Sequence, residues 1–133
     1  MKLFNTVYVV DDDLVFHFIL KKLFTKADSD FKVSYYLNGY DAILAIKETK
    51  EFPDLILLDI NMPISDGWQF LQDFRDWESL EKNNIKIYII SSSDDPSDFQ
   101  KANFYKNEVQ RYCNKPITMM EFREIFFNSD STV

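Results

Sequence analysis

Asp11, Asp12 and Asp59, the hydroxyl of Ser91 and the ammonium of Lys115 each stand at the end of a short strand-like run. The run at 7–10 leads into Asp11-Asp12-Asp13 and the run at 55–58 into Asp59. Residues 87–90 lead into Ser91, and 111–114 into Lys115-Pro116. In a parallel α/β sheet, ligands bind outside the carboxyl ends of the strands, where the strand order reverses. Three carboxylates, a hydroxyl and an ammonium therefore meet at one sheet edge, a set suited to phosphoryl chemistry. The constellation, rather than any one motif, carries the functional reading.

The elements that must position these groups follow from apolar periodicity. The runs at 7–10, 55–58 and 87–90 are almost wholly apolar, as strands covered on both faces must be. Residues 31–35 and 109–113 alternate, as edge strands do. Five strands with the second and fifth at the edges fit the order 2-1-3-4-5. That order places its switch point between strands 1 and 3, flanked by Asp11-Asp12 and Asp59. The expected fold is thus a doubly wound, five-stranded parallel sheet of flavodoxin-like type, with helices on both faces.

Five helices alternate with the strands. Phe16, Ile19, Leu20, Leu23 and Phe24 fall on one helical face, with Asp13 as N-cap. Asn38-Gly39 stops the second strand, and Ala42, Ile43 and Ile46 mark the second helix. Pro63 and Gly67 punctuate a loop before a third helix that turns Phe70, Leu71 and Phe74 inward. Pro96 opens a fourth helix carrying Phe99, Ala102 and Tyr105. Thr118-Met119-Met120-Glu121 matches a capping box, and Phe122, Ile125 and Phe126 form the last buried face.

Bulk properties narrow the function. A chain of 133 residues with 46% hydrophobic residues and 13 Phe is long and apolar enough for one well-packed domain, expected over 1–133 with a frayed tail from 128 to 133. A net charge of -7 argues against a nucleic-acid surface, which needs a basic stripe. A single cysteine, Cys113, excludes an intramolecular disulfide and fits a reducing compartment. No apolar stretch approaches membrane-spanning length, and the first residues are too short and polar for a signal peptide. A cytoplasmic domain is expected.

At this point the sequence resembles the receiver domain of two-component response regulators, over essentially its whole length. The matching pieces are Val9-Val10-Asp11-Asp12, Leu57-Leu58-Asp59-Ile60-Asn61-Met62-Pro63 with Asp66-Gly67, Ile90-Ser91-Ser92, and Tyr112-Cys113-Asn114-Lys115-Pro116. They stand in the family's order at strand ends, and small free-standing receivers of the chemotaxis type are similar.

The resemblance implies the roles. Asp59 takes a phosphoryl group from a histidine kinase or a histidine phosphotransfer protein. Asp12 and Asp59 ligate Mg²⁺ or Mn²⁺ through side chains, Asn61 through its main-chain carbonyl, and Asp11 through water. Lys115, after which the family has a cis peptide, and Ser91 meet the phosphoryl oxygens. Ser91 and Tyr112 form the switch, and the surface of the fourth helix, fifth strand and fifth helix signals to a downstream partner. That surface also allows weak dimers of an otherwise monomeric protein. Asn61 and Ser93 tune the lifetime of the acyl phosphate. Such a protein is a self-phosphorylating acceptor with autophosphatase activity rather than a conventional turnover enzyme. The chain ends soon after the last helix, so no output domain is expected.

Blander readings stand beside these. Asp13 is best read as a cap, Cys113 as a strand-filling residue and His17 as an exposed helix residue. A tyrosine at 112 is ordinarily packing with a wet hydroxyl. Leu14, Val15 and Phe18 lie outside the first helix's buried stripe; they form either a docking face for the phosphodonor or a broader apolar face. Two other functions compete. A haloacid-dehalogenase-type phosphohydrolase would use Asp11 as nucleophile, but leaves Asp59-Ile60-Asn61-Met62-Pro63 unexplained. A binding module independent of phosphorylation would not need the full residue set.

Overall fold

The computed structural model describes residues 2–27, 30–62, 64–92 and 94–127. Strands and helices alternate as β1 (Thr6–Val10), α1 (Leu14–Lys26), β2 (Lys32–Tyr36), α2 (Gly39–Glu48), β3 (Leu55–Asp59), α3 (Gly67–Asp76), β4 (Lys86–Ser91), α4 (Pro96–Phe104), β5 (Val109–Asn114) and α5 (Met119–Phe126). A 3₁₀ turn, Lys82–Asn84, precedes β4. All neighbouring strands are parallel and the order is 2-1-3-4-5, with the second and fifth strands at the edges as expected.

The central strands bury both faces because their residues are almost wholly apolar between polar residues at the ends. Tyr8 and Val10, Ile56 and Leu58, and Ile87 and Ile89 pack on one side with Ala42, Ile46, Phe70, Leu71 and Phe74 of α2 and α3. Val7 and Val9, Leu55 and Leu57, and Ile90 pack on the other with Phe16, Leu20, Phe24, Phe122 and Phe126 of α1 and α5. The two-residue alternation of a strand sorts these sets to opposite faces. Phe122 and Phe126 are fully buried, and truncating either to Ala costs about 3–5 kcal/mol.

Short-range chemistry sets the helix starts. Asp13 accepts from Val15 N and Phe16 N, Asn38 from Asp41 N, and Asp66 from Gln69 N. Thr118 and Glu121 form the complete capping box of α5. Gly67 marks a close approach: a Cβ there would lie 2.5 Å from the Asp59 carbonyl oxygen and 2.8 Å from Ile60 Cα. Its N–H donates to Ile60 O at 2.9 Å, fastening the start of α3 to the end of β3. Gly39 approaches Ser65 in the same loop, donating to its carbonyl at 3.0 Å.

Helix α1 departs from the sequence expectation. Its buried residues are Phe16, His17, Leu20 and Phe24; Ile19 is 40% exposed and His17 only 5%. The helix carries apolar residues almost all the way round, so periodicity alone cannot select its inward stripe. Packing against β2 does: the His17 ring lies 5.1 Å from that of Tyr35. At the opposite edge Tyr105 is the C-cap of α4, and α4 itself buries no residue. Its C-terminal end is held by Arg75, which bonds Glu108 and the Phe104 carbonyl, and by Tyr105, whose hydroxyl donates to Gln72.

Candidate functional site

Three strands deliver their terminal residues to one place. Asp11 follows β1, Asp59 ends the adjacent β3, and Ser91 ends β4. One carboxylate oxygen from each of Asp11, Asp12 and Asp59 lies within 4.8 Å of the other two, a spacing that can hold a metal ion. Asp11 and Asp59 are 1% and 5% exposed, whereas Asp12 stands at the exposed rim. Asp11 Oδ1 accepts from Asp13 N at 2.9 Å, which orients the carboxylate. Lys115 reaches in from the end of β5, its N–H donating to Ser91 O and its peptide to Pro116 cis. Its ammonium lies 2.6 Å from Asp11 Oδ2 and 3.9 Å from Asp59 Oδ1.

The electrostatics follow from burial and like charge. Burial pushes the Asp59 carboxyl up to about 7, helped by the charges of Asp11 and Asp12 and opposed by Lys115 and the Ile60 backbone. Carboxylates so crowded favour a cation over three bare charges. The oxygen-only donor set suits Mg²⁺ or Mn²⁺.

Around this centre lies a set of aromatic contacts. Tyr112 is half-buried on β5 with its hydroxyl inside rather than in water. Burial raises its phenol pKa and the neighbouring Ser91 pulls the other way. Its ring meets Phe99 of α4 at 4.7 Å. Behind Asp11, His17 keeps Nε2 buried without a hydrogen-bond partner, and burial lowers its pKa against the charge of Asp11. Phe16 places its ring centroid 4.6 Å from the Lys115 ammonium.

The structure thus brings together Asp11, Asp12, Asp59 and Lys115, with Ser91 and Tyr112 on the adjoining strands. Asn61 is exposed in the loop two residues after Asp59, and Ser93 lies outside the described residues, as does the tail 128–133. Leu14, Val15 and Phe18 are exposed on α1, as expected, together with Ile19 and beside Lys21 and Lys22. His17 is the correction, being buried rather than exposed. Reading the sequence also missed Phe16 and Phe99 as neighbours of the site. Phe16 was legible as a core residue, but nothing local distinguishes a phenylalanine against an ammonium from one against leucines.

The chain is similar to known proteins in sequence and fold. The model of the response regulator receiver domain matches residues 7–127. The sensor histidine kinase GacS of Pseudomonas protegens is 29% identical over 119 residues, 90% of this chain and 12% of that protein. The two-component response regulator EHD1 of Oryza sativa subsp. indica is 28% identical over 120 residues, 90% of this chain and 33% of that protein. A crystal structure of a two-component response regulator from Cytophaga hutchinsonii superposes with a TM-score of 0.80 at 27% identity, covering 92% of this chain and 93% of that one. The chain spans no more than about a third of the length of the curated relatives it matches. Among the described residues no helix is long and apolar enough to cross a membrane. With a family match over nearly all of the described sheet and helices, the chain belongs to the response regulator receiver domain family of two-component signalling.

Proposed function

We propose that Asp59 is the phosphoacceptor of this receiver, taking a phosphoryl group from the phosphohistidine of a kinase or phosphotransfer protein. The observation that carries this is its setting: a buried carboxylate at the end of β3, within 4.8 Å of two further aspartates and 3.9 Å from an ammonium. Asp11, Asp12 and Asp59, with the Asn61 carbonyl, would hold Mg²⁺ or Mn²⁺, which when bound offsets carboxylate charge and charge on the transferring group. Lys115 orients the phosphoryl oxygens by charge, and the Ser91 hydroxyl donates to another. Positioning and electrostatics suffice for phosphoryl transfer, which asks little covalent chemistry of the protein beyond the nucleophile.

The switch runs through Ser91 and Tyr112 to the surface of α4, β5 and α5. The buried Tyr112 hydroxyl, its proximity to Ser91 and its contact with Phe99 support that route. The exposed ridge of Leu14, Val15 and Phe18 beside the site is the docking face for the phosphodonor. A downstream protein, or weak dimerisation, uses the α4/β5/α5 surface. Asn61 and Ser93 set the lifetime of the acyl phosphate.

Asp11 is a poorer nucleophile than Asp59, since one oxygen accepts from Asp13 N and the other is held by Lys115 at 2.6 Å. Incubation with acetyl phosphate and Mg²⁺, followed by mapping of the labelled aspartate, tests the assignment. Label on Asp59 is expected. Label on Asp11 would favour a phosphohydrolase-type site, and no label a phosphorylation-independent binding module.

A further inference from the structure

The Lys115 ammonium is enclosed on three sides: by Asp11 at 2.6 Å, by Asp59 at 3.9 Å, and by the face of the Phe16 ring at 4.6 Å. Both partners of that last contact are substantially buried, with Lys115 only 15% exposed. Phe16 comes from the first turn of α1, and Asp13 fixes that turn by capping both Val15 N and Phe16 N. The ring is therefore locked to the same β1–α1 connection that carries Asp11 and Asp12.

We propose that Phe16 is a positioning residue for phosphoryl acceptance, acting through Lys115; this rests on the reading of Asp59 as acceptor. A lysine ammonium is a compact, strongly hydrated charge on a flexible four-carbon stem. Between the two carboxylates it sits on the nearer one, Asp11. An aromatic face attracts the cation without occupying an N–H in a conventional hydrogen bond, and the attraction is larger where water is excluded. The ring keeps the ammonium at the site while leaving its N–H groups to exchange Asp11 for phosphoryl oxygens arriving over Asp59. An aliphatic side chain of similar size would fill the space but would not hold the charge.

The test separates the ring's electrostatics from its volume. Phe16 is replaced by 4-fluoro-, 3,5-difluoro- and 3,4,5-trifluorophenylalanine, which weaken the negative ring face stepwise at nearly constant shape. The rate of Asp59 phosphorylation by acetyl phosphate is measured at saturating Mg²⁺. A graded loss reaching roughly 5-fold is expected, with no gradient in the Lys115→Ala background. A flat series, or an equal gradient without the lysine, overturns the proposal. Separately, in metal-free protein the Lys115 ε-methylene protons should lie upfield through the ring current and move downfield in Phe16→Leu. If that shift is seen but wild-type Asp59 takes no phosphoryl group, the contact stands while the acceptor reading, and the positioning role with it, falls. An unshifted resonance removes the contact itself.

Discussion

Lys115 Nζ lies 2.6 Å from Asp11 Oδ2, so that the site's ammonium is paired with the innermost of its carboxylates. The pair is almost dry, and removing one partner of such a pair is destabilising because the other charge is stranded. Lys115→Ala should therefore lower the melting temperature of metal-free protein, with a stability loss of about 3 kcal/mol. Mg²⁺ affinity should stay nearly intact or rise slightly, because Asp11 no longer has a resident cation. Beryllofluoride should then evoke a smaller hydrogen-exchange change across α4 and β5. An undiminished response would make Lys115 a bystander.

Metal-free stability should fall as pH rises from about 4 to about 7. The folded state holds the Asp59 proton up to about 7, while the unfolded chain releases it near the ordinary value of 3.8. Between these limits the native state binds more protons than the unfolded state, so raising pH favours unfolding, with a slope approaching about 1.4 kcal/mol per pH unit. Asp59→Asn removes the titrating group at nearly constant shape and should flatten this dependence. Urea unfolding in chelator across that range measures it; an unchanged slope in the variant would assign the effect to another group.

Asp12 stands at the rim and Asp11 beneath it, so the two should differ on substitution. Asp12→Ala should weaken Mg²⁺ binding by an order of magnitude or more, since even outer-sphere partners of a metal typically matter that much. Relief of carboxylate repulsion should leave the metal-free protein equally or more stable. Calorimetric titration giving wild-type affinity would take Asp12 out of the ligand set.

Phe99→Ala should loosen the one ring contact that α4 makes with Tyr112 among the described residues. An aromatic pair of this kind contributes about 0.5–1.5 kcal/mol beyond its area, and Phe99 is itself half exposed, so the stability loss should be small. The effect belongs to the switch: Tyr112 should become more accessible to a fluorescence quencher before any activator is added. Equal accessibility in variant and wild type would mean that Phe99 does not hold the tyrosine.

Much of the architecture was legible because it is local. Two-residue alternation separates edge strands from central ones, and that difference fits the order 2-1-3-4-5, whose switch point lies between β1 and β3. Asp13 and the Thr118–Glu121 pair cap the helices they were expected to cap, since a cap acts across three residues. The carboxylates, Ser91 and Lys115 could be placed for the same reason: each ends a strand, and parallel strands end together.

What the tertiary structure decided was the company each side chain keeps. Helix α1 is apolar nearly all round, so its own sequence fits several inward stripes, and contact with Tyr35 of β2 chose the one that buries His17 and exposes Ile19. Residues 112 and 99, or 115 and 16, are distant in the chain and share no periodic relation. Their meeting depends on how β5 sits against α4 and α1. Apolar periodicity and strand-end positions point to a doubly wound parallel sheet with these chemical groups at its edge, and the motifs there resemble those of the receiver family. Which carboxylate holds the ammonium, and which ring lies against it, depends on packing distances of a few ångströms that no local pattern encodes.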